Sequence, residues 1–208
     1  DDRAQEVLAR RRQLHAGDVG HDVVHLLAPD LGIVRKLQQL GIARHDGEAA
    51  TVEQFIQCFA DASGRDMTLF MRWYSQAGTP EVTVDGRFDT ARKTFILECS
   101  QVVPATPGQT SKAPMVIPLS IGLVGKDGRD LALKTADGRP LGDRPIVLTE
   151  QTARFEFAGI GERPVLSINR GFSAPINLVT DLGADDLAFL AAHDSDPFNR
   201  WQAIQTIS

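Results

Sequence analysis

The feature that most limits what this 208-residue chain can fold into is a change of hydrophobic period at Pro80. Upstream, apolar residues recur at helical spacing: Val52, Phe55, Ile56 and Phe59 on one face, then Leu69, Phe70 and Trp73. Downstream they recur at every second residue, which lines one face of a strand. The runs are Val82/Val84, Phe95/Leu97/Cys99, Ile117/Leu119/Ile121/Leu123, Leu131/Leu133, Ile146/Leu148, Phe155/Phe157, Val165-Leu166/Ile168 and Ile176/Leu178. These short runs have no helix-length segment between them, so they predict a mainly β, antiparallel sandwich. Phe95, Leu97, Ile121, Leu123, Phe155 and Phe157 are its expected inward residues. Asp85-Gly86 and Asp127-Gly128 read as turns between strands. Pro114 and Pro118 predict that the 117–123 strand lies at an edge or carries a bulge, because proline cannot donate to a ladder.

Helical signals flank this region. Thr51-Val52-Glu53-Gln54 has the form of a capping box, Gly64 ends that helix, Asp66 is a second candidate N-cap, and Gly78-Thr79-Pro80 forbids continuation, so residues 51–77 are expected to form a helical hairpin. Phe70, Trp73 and Tyr74 should pack against the sandwich. Residues 1–43 read as a separate helical segment of short pieces: His21 to Ala28 is stopped by Pro29, and a helix from Leu31 is capped by Gly41. Beyond Thr180 the pattern turns helical again, with Leu187 and Leu190 before a stop near His193. Asp196-Pro197 then serves as N-cap and first residue of a helix bearing Phe198, Trp201 and Ile204. That last helix is expected to open a larger helical region and to expose Trp201.

Composition removes whole function classes. With 42% hydrophobic and 24% charged residues the chain is an ordinary soluble globular protein. No apolar run approaches the roughly 18 to 20 residues that cross a bilayer, and Asp1-Asp2-Arg3 does not open a signal peptide, so no membrane role is expected. Cys58 and Cys99 have no C-x-x-C partner, which excludes a disulfide framework or zinc ribbon and favours the cytoplasm. The net charge of −5 and 6% aromatic content argue against nucleic acid as a partner. Arg10-Arg11-Arg12 reads as a solvated helix face.

Few residues suggest chemistry. His21 and His25 stand at i and i+4, the spacing that offers two imidazoles to one metal, with Asp22 where zinc peptidases keep a glutamate base. A catalytic site would need a third ligand, such as Asp46 or Glu48, and Pro29 leaves at most two turns of helix, so an ordinary histidine pair is preferred. His15 and His45 fit no spacing. There is no G-x-S-x-G, Walker loop or Gly-rich dinucleotide turn. Asp185-Asp186, Asp194 and Asp196 fall at helix starts and read as caps.

Five blocks, in order, resemble bacterial aminopeptidase N, the gluzincin alanyl aminopeptidases. They are Arg44-His45-Asp46-Gly47, Phe70-Met71-Arg72-Trp73-Tyr74-Ser75-Gln76-Ala77-Gly78-Thr79-Pro80, Pro104-Ala105-Thr106-Pro107, Gly171-Phe172-Ser173-Ala174-Pro175-Ile176 and Asp196-Pro197-Phe198-Asn199-Arg200-Trp201. The resemblance starts at about Arg44, leaving 1–43 unmatched. It implies that 44–77 are the last helices of a catalytic domain, 78–180 an immunoglobulin-like β domain, and 181–208 the start of a helical superhelix. Such enzymes hold zinc through H-E-x-x-H and a downstream glutamate and read the substrate amine with G-x-M-E-N; neither motif occurs in this chain. At the family's spacing beyond His25 stands Arg44, which cannot bind zinc, and Tyr74 does not match the catalytic tyrosine. No catalytic, cofactor-binding or metal residue is therefore assigned, and zinc belongs to the parent family. The expected role is a non-catalytic spacer whose partners are the remaining domains of an aminopeptidase, with weak self-association through Trp73 or Trp201. The alternatives are zinc-dependent removal of N-terminal residues from peptides, or a free-standing interaction module that recruits a partner strand.

Overall fold

The computed structural model describes residues 39–40 and 49–207. The expected helices of 1–38, the Gly41 cap, Arg10–Arg12, His15, His21, Asp22, His25, Arg44, His45, Asp46 and Glu48 lie outside the described residues. The chain divides into two compact units between Met71 and Arg72.

In the first unit the capping box forms as read. The Thr51 amide donates to Gln54 Oε1 at 2.8 Å, the Gln54 amide donates to Thr51 Oγ1 at 3.3 Å, and helix α1 runs Val52–Ser63. Gly64 closes it in the left-handed region (φ 68°), its amide bonded to Ala60 O. Ile56, Cys58, Phe59 and Ala62 are buried, whereas Val52 and Phe55 are exposed, so the buried stripe is rotated from the expected one. The second helix of the expected hairpin is not there. Asp66 instead closes a turn through the Thr68 amide (2.8 Å), and helix resumes only as the single turn α2, Arg72–Ser75, in the second unit.

The second unit holds eight strands: β1 Glu81–Asp89, β2 Thr94–Val102, β3 Ile117–Leu119, β4 Ile121–Val124, β5 Ile146–Leu148, β6 Thr152–Ala158, β7 Val165–Ile168 and β8 Asn177–Thr180. One sheet has the order β6-β2-β1-β8, and β3-β5 and β4-β7 form two-stranded sheets. Every pair is antiparallel except β1 with β8. Helices α3 Ala184–His193 and α4 Pro197–Ile207 follow. The apolar faces of β1 and β2 (Val82, Val84, Phe95, Leu97, Cys99) close on Ile117, Leu119, Leu123, Leu148, Phe157 and Leu166 to make the main core. Ile121 and Phe155, expected inside, are only partly buried against it.

Strand assignments differ from expectation in three places. Asp85-Gly86 is not a turn: β1 continues to Asp89, and Gly86 is where the Phe95 ring crosses the strand, since a Cβ there would lie 2.7 Å from Phe95 Cζ. The 117–123 run is two strands, because at Ser120 the chain leaves β5 for β7. The Ser120 amide donates to Ser173 Oγ and its carbonyl accepts from the Arg170 amide. Pro118 fits this arrangement, as β3 has one ladder partner only. Leu131 and Leu133 form no strand; they stand between tight turns at 125–129 and 135–139, tied by the single bonds Leu131 N to Leu123 O and Leu141 N to Leu133 O.

Candidate functional site

Two sets of polar contacts fasten the helices that enter and leave the β unit. At the entry, α2 lies on the 103–116 loop. Trp73 Nε1 donates to Val116 O at 2.8 Å, and Arg72 Nη1 to Pro114 O at 2.5 Å. Gln76 pairs both ways with Ala113, its Nε2 donating to the carbonyl and its Oε1 accepting from the amide. Gln109 does the same for Ser75 O and the Ala77 amide, so the groups that would extend α2 are satisfied by a side chain and the helix stops. Lys112 Nζ gathers Ala77 O, Pro104 O and Thr106 Oγ1 within 2.5–2.9 Å and locks the Gly78-Thr79-Pro80 link. Behind the loop, buried Gln101 on β2 donates to Met115 O and Glu150 O and accepts from the Met115 amide. Trp73 thus packs on the sandwich as expected and is half-buried, not an exposed face; Tyr74 is 39% exposed.

At the exit, the chain after β7 turns sharply through Asn169 (φ 58°), Gly171 (φ 62°) and Phe172 (φ 54°), all left-handed. Asn169 holds this turn with three bonds to Ser173 and Ala174. The turn aims Arg170 back across β4. Its guanidinium makes a two-pronged pair with Asp130 (2.7 and 2.9 Å), reaches Asp194 Oδ1 at 3.0 Å, and donates from Nε to Ser167 Oγ. Asp194 is buried in the α3–α4 link. It accepts from Ser167 Oγ and from the Asp196 amide, while Arg200 donates to its carbonyl. Asp196 caps α4 through the Asn199 amide and also accepts from the Gly171 amide. Asn199, buried, donates to Ser167 Oγ and Ile168 O. The hydrogen bond from Arg170 holds the Asp130 carboxyl below its ordinary range despite partial burial. Burial by itself lowers Arg170, but the Asp130 hydrogen bond and the charges of Asp194, Asp130 and Asp196 outweigh it and raise its pKa.

Of the carboxylates read as caps, Asp196 is one. Asp185 and Asp186 lie in the first turn of α3, where their charge complements the macrodipole as expected, but neither is the N-cap, which is Gly183, and Asp186 takes a two-pronged pair from Arg163. Sequence reasoning missed Gln101, Lys112, Asp130, Ser167 and Arg170. The available signal was local, since Gln101 continues the inward run Phe95/Leu97/Cys99 and Arg170 directly precedes a glycine. Neither cysteine is placed for chemistry: both are buried and free, and burial with the nearby Asp85 charge pushes Cys99 up to about 12. Among the described residues no group of three His, Cys, Asp or Glu could hold a metal ion. His193 lies against Phe189 with ring centroids 4.7 Å apart and the rings tilted by 44°. No helix among the described residues is long and apolar enough to cross a membrane.

An Ig-like β unit leading directly into paired helices defines the class, and comparison with known proteins agrees. The chain belongs to the family described as a domain of unknown function with an Ig-like fold, DUF3458, whose profile matches residues 78–181; the companion DUF3458_C, described as ARM repeats, matches 184–208. It is homologous to a region of aminopeptidase N, at 46% identity to that of Caulobacter vibrioides and 36% to that of Escherichia coli, over 91% and 90% of this chain. It spans about a fifth of the length of these relatives (21% and 22%). Residues 44–208 are too few to make up a 91% match, so the likeness extends upstream of Arg44, where the sequence blocks had placed its start. The fold is that of a segment of Legionella pneumophila aminopeptidase A, solved in complex with aspartic acid: TM-score 0.76 and 23% identity, covering 93% of this chain and 20% of that one.

Proposed function

We propose that the chain is a non-catalytic structural segment of a zinc aminopeptidase N, a β-sandwich spacer between a catalytic domain and a C-terminal helical domain. Residues 44–77 close the former, 78–180 are the spacer and 181–208 open the latter, so its partners are the remaining domains of the same enzyme. The observation that carries this reading is the pair of polar joints. At the entry, side chains of the loop hold the helix by its backbone, and at the exit, side chains from both sides interlock, which is how a spacer would fix its neighbours in orientation. Among the described residues nothing fits zinc: His193 lies against Phe189, and no group of three His, Cys, Asp or Glu comes together. Two buried free thiols support the cytoplasm as its compartment. Elemental mass spectrometry of the dialysed chain, with hydrolysis of an alanine arylamide on the same sample, is expected to give no zinc and no turnover. About one zinc per chain with turnover would overturn the reading and direct attention to His21 and His25.

A helical repeat contacts its neighbours and leaves an apolar face for the next one. On α4 that face is exposed: Trp201 is 55% accessible and Ile204 50%, and Phe198 links Trp201 to exposed Phe172 with ring centroids 5.9 and 5.5 Å apart. Weak self-association through this face is expected, and Trp201→Ser should reduce it in sedimentation equilibrium. A monodisperse monomer at high concentration would exclude it.

A further inference from the structure

We propose that Arg170 is a latch holding the α3–α4 pair on the sheets, and that breaking it releases the pair as a unit while the β unit stays folded. The apolar attachment of the pair is small. Among the described residues its cluster has four buried members, Val124, Val165, Leu190 and Ala203, with Leu182, Leu187, Phe189 and Ala191 partly buried around them, against seventeen buried residues in the main core. A groove of about 570 Å³, lined among others by Leu166, Ile176, Val179, Leu187 and Gln202, separates the helices from β7 and β8. Such a seam forgoes the close packing that holds elements together in a core. The covalent link between β8 and α3 is only residues 181–183.

The polar attachment is dense: Asn199 reaches Ser167 and Ile168, Asp196 takes the Gly171 amide, Ser195 donates to Asp130 and Arg163 pairs with Asp186 at the surface, while Arg170 makes the charged link to a buried carboxylate. Arg170 spans from the β unit, through Asp130 and Ser167, to the helical pair, through Asp194, whose side chain is fully buried. A built slot receives it: a Cβ on Gly122 would lie 2.0 Å from Arg170 Cζ and 2.2 Å from Nη1, so the guanidinium lies flat on a residue with no side chain. Three departures into the left-handed region within four residues deliver Arg170 there, one of them at Phe172, a bulky residue for which that backbone is costly. Removing Arg170 leaves Asp194 as a buried carboxylate facing Ser167 without its cation, and that penalty falls on the helical pair.

The test is amide hydrogen exchange on the full chain, comparing parent, Arg170→Met and Gly122→Ala. The alanine keeps every charge and only evicts the guanidinium, which is the flexible end of its side chain, so it reads the latch even where the methionine variant folds poorly. Protection of α3 and α4 amides is expected to fall about a hundredfold in both variants, while β1 and β2 amides keep theirs within about twofold. Equal losses in helices and sheet would mean general destabilisation and would overturn the latch, as would unchanged helix protection. The outcome is independent of the zinc assay, since it concerns attachment within this chain and not the role of the chain in an enzyme.

Discussion

Phe157→Ala is expected to cost about 3–5 kcal/mol, the upper range for truncating a single core side chain. Phe157 is 1% exposed, pairs across the ladder with Phe95, and belongs to the core that joins the four-stranded sheet to β3, β4, β5 and β7. Its removal leaves a cavity walled by residues already fixed on three sheets, so the site can collapse only partly. With net stabilities of about 5–15 kcal/mol for whole domains, such a loss brings the midpoint of urea unfolding down steeply. Phe155→Ala is the control. It lies on the same strand and the same face, opposite Leu97, but only part of its ring is covered, and roughly half the penalty is expected. Equal costs would mean that the inner face of β6 is buried along its whole length and would contradict the partial exposure of Phe155.

That contrast also marks where the sequence could be read and where it could not. Alternation every second residue located Phe155 and Phe157 on the inner face, and it found the strands around Val82, Phe95, Ile146 and Val165, because half-burial leaves a periodic trace. It could not rank two phenylalanines by depth, since depth depends on which strands lie beside β6. It also failed where pairing changes along one run, as at Ser120, and where glycine makes room rather than a turn, as at Gly86. The α2 helix is shorter than its sequence pattern predicts for a related reason. Gln109 and Lys112, more than thirty residues away, take the Ser75 and Ala77 backbone groups at and beyond its last residue and stop it there, while Leu69 and Phe70, for all their helical spacing, lie in the turn that precedes it.

The joints were half legible. The blocks that carry the family resemblance supply one side of each: Arg72, Trp73 and Gln76 with Pro104 and Thr106 at the entry, Gly171 with Asp196 and Asn199 at the exit. The other side of each joint, Gln101 and Lys112 or Asp130 and Arg170, comes from positions whose local pattern is that of an ordinary polar residue. Only the fold shows that their partners are backbone groups distant in the sequence and an opposing charge.

Gln101 gives the sharpest test of the entry joint. Gln101 is 4% exposed, and Gln101→Met keeps the length of the side chain while removing all three of its hydrogen bonds, orphaning the buried amide and carbonyl of Met115 and freeing the Glu150 carbonyl at the edge of the site. A buried group left unsatisfied costs about 1–3 kcal/mol, and with partial relaxation of the loop the variant should lose about 2–4 kcal/mol at any pH between about 5 and 8. Gln101→Glu separates this cause from simple loss of packing. Ionised, it presents an acceptor to two carbonyls and places a charge in the core, so burial raises its folded pKa above the unfolded value. A carboxyl shifted upward destabilises where it is ionised and is relieved as pH falls through the folded pKa, because the acid form can donate to a carbonyl again. The Glu variant should therefore be the less stable of the two at about pH 8 and close the gap on acidification, measured as urea midpoints across the pH series. Parallel pH profiles for Met and Glu would show that the hydrogen bonds of Gln101 are not what holds the loop. In both variants the 103–116 loop loses its inner anchor, and with it the Val116 carbonyl that fixes the Trp73 indole. The fluorescence of Trp73, read in a Trp201→Phe background, should then shift to the red before the sheet unfolds, which ties this buried amide to the orientation of the entering helix.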